Sequence, residues 1–288
     1  MIFDSHVHIF SSKIISNVSK KNEMVSKLGL QTDSADQRTT THDLEMEIKN
    51  TPVEKCYMLP TAGAREVRKI NETCIKMAAK TDFLYTAGTL HPDYQDNETE
   101  LERLNAHNIR GIKLCSFSQG FVLDSDQAHR VFHLIQEKNN HTDHPFFVVL
   151  DTFFMADIYF GTNPKYNTTP KVLGDLVNRF PRINFIAAHM GGLTAPFNDI
   201  CNHLLTSDNL FLDTSNAAHT LSENEFIHLL KTHGPEHILF GTDWPWFTHT
   251  AEIKLINRLL GLAGYNADDK EAVFGKNMSA LLGTEQEE

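Results

Sequence analysis

The chain has 288 residues, 41% hydrophobic and 22% charged, and a formal net charge of −11. This composition fits a globular protein with a sizeable core, and the acidic balance speaks against a nucleic-acid partner, which would call for a basic surface. There is no basic segment leading into an apolar run and no apolar stretch that would span a bilayer. The four cysteines (Cys56, Cys74, Cys115 and Cys201) are widely spaced, with no CxxC pair, so the expectation is a cytoplasmic protein with reduced thiols and no membrane partner.

The first predicted element is a strand, Ile2–His6, running into Val7 and His8. Residues i and i+2 of an extended segment share a face, so His6 and His8 aim two imidazoles into one space. Neutral imidazole is a good ligand for zinc and its neighbours. The segment Ser11–Thr40 is rich in Ser, Lys, Thr and Asp and is expected to be a long loop over the catalytic face. Strands are predicted next at Lys55–Pro60, Phe83–Leu90, Gly111–Cys115, Phe146–Asp151, Asn184–His189, Leu210–Thr214 and Ile238–Asp243. Several are near-continuous apolar runs, the pattern of parallel strands buried on both faces.

Helical spacing of apolar residues separates the strands, at His42–Lys49, Glu66–Lys80, Glu98–Ala106, Asp126–Glu137, Pro170–Phe180, Pro196–Leu205, Glu223–Lys231 and Thr250–Leu260. Thr41 is expected to cap the first of these, and Ser222 with Glu225 fits a capping box. A last helix, about Asp268–Leu282, is expected on the outside. Eight strands, each followed by a helix, predict an α/β chain folded as one (β/α)8 TIM barrel over residues 1–288. A doubly wound sheet is the second choice, weakened because no G-x-G-x-x-G follows the first strand.

A barrel brings the C-terminal ends of its strands to one mouth. The ends here are polar: His6 and His8, then Lys113, Asp151, His189 and Asp243, each following or interrupting an apolar run. Buried charge of this kind needs a partner or a metal. Each residue also has an ordinary reading. Asp243 fits a helix cap, His189 a hydrogen-bonded core residue, Asp151 a turn cap, His91 a shaper of the mouth and Arg38 a solvated side chain rather than a carboxylate clamp.

The ordered segments Phe3-Asp4-Ser5-His6-Val7-His8, Thr89-Leu90-His91-Pro92-Asp93, Gly111-Ile112-Lys113-Leu114, Ala188-His189-Met190-Gly191-Gly192, Leu239-Phe240-Gly241-Thr242-Asp243-Trp244-Pro245 and Asn277-Met278-Ser279-Ala280-Leu281-Leu282 cover nearly the whole chain. Together they resemble the amidohydrolase superfamily, in its branch of metal-dependent hydrolases similar to aminocarboxymuconate-semialdehyde decarboxylase. The resemblance implies one divalent metal ion, zinc first and manganese second. His6 and His8 match the paired ligands of the first strand. Asp243 matches the ligand and proton shuttle of the last, and His189 the histidine that contacts water or substrate or ligates metal. The family has a ligand histidine where this chain has Asp151, and carboxylate oxygen can take that place.

The resemblance further implies hydrolysis of a small amide, ester or lactone by a metal-activated water, with Asp243 and His189 catalytic. Non-oxidative decarboxylation of an unsaturated or aromatic acid is the alternative, and a degenerate barrel that only binds is the third reading. The expected partner is a small-molecule substrate, with self-association left open.

Overall fold

A computed structural model describes residues 1–142 and 144–284. Its strands are β1 (Ile2–Val7), β2 (Val53–Met58), β3 (Leu84–Thr86), β4 (Gly88–Thr89), β5 (Gly111–Leu114), β6 (Phe147–Leu150), β7 (Asn184–Ala187), β8 (Leu210–Asp213) and β9 (Ile238–Leu239). They pair in chain order, all parallel, as β1-β2-β3 and as β4 through β9. The third predicted strand is broken at Ala87, which still donates to the Met58 carbonyl at 2.9 Å. β3 and β4 are therefore two pieces of one barrel stave. The other seam closes between the first stave and the last: Ser5 donates to the Phe240 carbonyl (2.8 Å), Asp243 to that of His6 (3.0 Å) and His8 to that of Trp244 (2.8 Å). The result is the (β/α)8 barrel.

Strand alternation sorts the apolar runs into two layers. Phe147 and Val149 of β6 join Phe3, Tyr57, Ile186 and Leu239 in one buried cluster. Val148 and Leu150, one residue out of phase, pack with Leu173, Leu176, Val177 and Phe180 of the helix Pro170–Arg179. Eight helices follow the staves, at Thr41–Ile48, Val67–Ala78, Asn97–Ala106, Asp126–Asn139, Pro170–Arg179, Phe197–His203, Glu223–His233 and His249–Ala263. The last segment runs Ala267–Glu271, a π-turn at Ala272–Lys276, then Asn277–Leu282. A Cβ added to Gly275 would stand 2.9 Å from the Met1 carbonyl, so the missing side chain lets this segment close on the start of β1.

Two local expectations are corrected. The first cap is Thr40, not Thr41: its Oγ1 accepts from the Asp43 N–H (3.1 Å), and the Asp43 carboxylate accepts from the Thr40 N–H (2.9 Å). Thr41 already lies in the helix, and the carboxylate that completes the box is three residues beyond Thr40. Ser222 and Glu225 form the expected box.

The segment 11–40 is not a loop. It folds as α1 (Ser12–Ser19), α2 (Asn22–Leu28) and α3 (Thr32–Ala35), ahead of α4 (Thr41–Ile48). Ile15, Val18, Met24, Leu28, Leu30 and Ala35 are buried with Phe153, Leu193, Trp246 and Phe247. Few apolar residues at helical spacing suffice here, because an apolar surface at the barrel mouth is there to be covered. No helix among the described residues is long and apolar enough to cross a membrane, and all four cysteines are free thiols.

Candidate metal centre and active-site cavity

β1 and the turn after β9 carry the centre. His6 Nδ1 donates to Asp213 Oδ2 (2.8 Å) and His8 Nδ1 to the Leu59 carbonyl (3.0 Å). Carboxylate and carbonyl oxygens only accept, so both rings hold the tautomer that leaves Nε2 with a free lone pair. The two Nε2 atoms nevertheless lie 3.0 Å apart. Two lone pairs at that distance need a cation between them. Asp243 Oδ1 stands 3.8 Å from His6 Nε2 and 3.6 Å from His8 Nε2. Donor atoms held about 2.0 to 2.2 Å from one divalent ion stand roughly 3 to 3.6 Å apart; two of the three separations lie in that range and the third is slightly longer, so these residues fit a metal with a small adjustment of Asp243.

Burial, and then the neighbouring His6 and Lys113, push His8 well below the ordinary imidazole range, which keeps it neutral. Burial raises Asp243 against the pull of His189 and His6.

His189 and Asp151 stand beside this trio. His189 Nδ1 donates to the Ser215 carbonyl (2.9 Å), and its Nε2 faces Asp151 Oδ2 at 3.9 Å. Burial alone would lower His189, but Asp151, Asp243 and Asp213 raise it to about 9. Burial likewise works against the charge on Asp151, yet His189 and Lys113 hold its carboxyl well below the usual range. Among the described residues, no group of three candidate ligand atoms within 4.8 Å of one another includes Asp151. Its other neighbour is Lys113, whose Nζ is buried, lies 3.9 Å from Asp151 Oδ2 and has no hydrogen-bond partner.

Three backbone positions here are left-handed: His189 (φ +55°), Asn216 (φ +54°) and Asp243 (φ +61°). Outside glycine that conformation costs about 1 kcal/mol or more per residue, and such strain collects at functional sites. His91 lies outside the trio. Its Nε2 donates to the Gln119 carbonyl (3.0 Å) and its Nδ1 accepts from the Asp93 N–H (3.1 Å).

Two groups of polar residues escaped the sequence reading. Asp213 ends β8; besides His6, it accepts from the backbone N–H of His189 (2.9 Å) and of Ser215 (3.1 Å). Burial opposes its charge, but His6, His189 and Ser215 hold it well below the usual carboxylate range. Its signal was partial: it follows an apolar run, as Asp243 does, but stands one residue inside a strand predicted to end at Thr214. The second group is a buried chain behind the site. Asp4 accepts from the backbone N–H of His6 and of Thr242 (both 3.0 Å) and from His249 Nε2 (3.0 Å). His249 Nδ1 donates to Glu47 (2.9 Å), and Glu47 also takes Trp244 Nε1 (3.0 Å) and faces Arg38 Nε (3.4 Å). Arg38 is thus neither solvated nor a substrate clamp, because Glu47 and the Pro245 carbonyl (3.1 Å) hold it.

Above the trio lies a cavity of about 300 Å³. His8, Asp151, His189 and Asp243 line its floor. Its walls come from the chain around α1 and α2 and from aromatic residues of later turns.

The matching family model is that described as Amidohydrolase, and it spans residues 4–284. No curated protein sequence matches the chain. Among solved structures, it is similar to the 5-carboxyvanillate decarboxylase of Sphingomonas paucimobilis (15% identity, 98% of each chain covered, TM-score 0.69). It is also similar to a dihydroxybenzoic acid decarboxylase from Polaromonas sp. with bound manganese and the inhibitor 2-nitroresorcinol (15% identity, 98% of this chain and 96% of that one, TM-score 0.70). A third is a candidate 2-pyrone-4,6-dicarboxylic acid hydrolase from Pseudomonas putida (18% identity, 99% of this chain and 98% of that one, TM-score 0.62). At these identities the similarity establishes the barrel alone. The family rests on the model that matches almost the whole length: the chain belongs to the amidohydrolase family.

Proposed function

We propose that the protein is a metal-dependent hydrolase of a small ester, lactone or amide, working at the barrel mouth. One observation carries this reading: His6 and His8 present facing lone pairs to Asp243 at the floor of a cavity. These three residues would hold one divalent ion, zinc before manganese because two of the three donors are imidazoles. Asp151 is proposed as a further contact of the ion or its water; His189 would join it on the ion only as the neutral ring, and as the protonated ring would contact the water or substrate instead. When bound, the ion supplies Lewis acidity toward a carbonyl and makes water acidic enough to react near neutral pH.

The chain's own groups handle the protons. Asp243, raised by burial, takes a proton from the attacking water and returns it to the leaving group. His189, raised to about 9 beside Asp151, donates to the carbonyl oxygen as negative charge builds there. The reading places the enzyme in the cytoplasm, where its four free cysteines remain thiols.

The test is exhaustive chelation followed by reconstitution with zinc or manganese. Ester or lactone hydrolysis is expected to vanish and to return at one ion per chain. Full hydrolysis by metal-free protein would overturn the reading, and release of carbon dioxide without net water addition would replace it with decarboxylation.

A further inference from the structure

Resting on that reading, we propose that the substrate carries one polar reacting end and an uncharged apolar body, aryl or short alkyl, with no second carboxylate. The cavity divides sharply by chemistry. Its charged groups are confined to the floor, and two of them, Asp151 and Asp243, are carboxylates. The walls above are built by Phe10, Val18, Met24, Leu28, Phe117 and Phe153. Thr61 and Ser118 also line the cavity, so the surface gains from contact with apolar substrate and offers an anion hydroxyls but no charge.

No lysine or arginine lines the cavity among the described residues. Lys13 and Lys20 of the α1 region are exposed and do not line it, and four other nearby cations are engaged elsewhere. Lys21 Nζ donates to the Tyr159 carbonyl and sits 5.0 Å from the centre of the Phe160 ring. Lys27 Nζ lies 3.5 Å from Met155 Sδ. Arg38 is held by Glu47 and the Pro245 carbonyl, and Lys113 is buried against Asp151. A second carboxylate, held in the walls while the first takes the floor, would lose its water and find no lysine or arginine there.

The experiment compares two non-reacting probes that differ at one substituent. Zinc-loaded protein is titrated with 3-methylbenzoate and with isophthalate, and the heat of binding is measured. Isophthalate is expected to bind at least about tenfold more weakly, the 1.4 kcal/mol equivalent of one misplaced charge. Isophthalate binding as tightly as 3-methylbenzoate, or no binding of 3-methylbenzoate, would overturn the proposal. Met24→Lys, which places a cation in the wall, is expected to narrow the ratio about tenfold; the wild-type pair alone decides if that variant does not fold. Because heat is read instead of turnover, the two readings fail separately. Selective binding without hydrolysis of any ester or lactone leaves this proposal standing and removes the hydrolase. Hydrolysis without selectivity does the reverse.

Discussion

Asp213 governs more of the centre than any proposed ligand. One of its oxygens fixes the His6 tautomer, and the other takes the backbone N–H of His189 and of Ser215. Partners of this kind orient a metal-binding imidazole and raise its basicity. Asp213→Asn keeps the volume but sets an amide in place of the full charge that Nδ1–H now meets. Metal affinity, measured by competition with a chromogenic chelator, is expected to fall about 10- to 100-fold while the protein stays folded. Unchanged affinity would show that the His6 tautomer is set elsewhere. The sequence gives up half of this pair: Asp243 ends a predicted strand and attracts notice, whereas Asp213 sits one residue inside a strand read as ending at Thr214. Asp4, in the same stretch as His6, carried no sign that it would be buried, because its partner His249 is remote in the chain.

At the level of elements, His249 binds three of them into one block. Its imidazole lies between Asp4 of β1 and Glu47 of α4, at the start of the helix His249–Ala263. Burial would lower its pKa, but Asp4, Cys56 and Glu47 raise it well above the ordinary value. A pKa raised on folding adds stability that is complete below the unfolded value of about 6.5 and fades as pH climbs through the folded value. His249→Ala leaves two carboxylates without their cation and is expected to cost about 3 kcal/mol in urea unfolding. The gap between wild type and variant should be larger at about pH 6 than at about pH 8.5; a gap that is constant or widens with pH would mean that His249 is neutral.

The staves and their helices were legible because each is a continuous apolar run or a clear helical repeat. The segment 11–40 was not. Ile15 with Val18, and Met24 with Leu28, have helical spacing, but their apolar partners Phe153, Leu193 and Trp246 lie more than a hundred residues away. Local composition there is that of a loop, and only tertiary contact makes it helical.

In the whole molecule, the proposed ion sits on the seam where the barrel closes. His6 and His8 belong to the first stave and Asp243 to the turn after the last, and backbone bonds between Asp243 and His6 and between His8 and Trp244 join the same edges. An ion held across that seam should bind the folded chain far better than the unfolded one. At a free concentration about 100 times its Kd, it is expected to add about 2.7 kcal/mol. For a chain of this size that raises the midpoint of calorimetric unfolding by about 4 to 5 °C. An unaltered midpoint after stripping and reloading zinc would remove the ion from the seam. Floor and walls also differ in how they are encoded. The floor gathers residues scattered from His8 to Asp243, whereas one wall is contiguous, drawn from Phe10 to Leu30. Recombination that exchanged this single short stretch could give descendants of the barrel new ligand preferences in one genetic event. The reactive groups, dispersed over most of the gene, would be inherited intact.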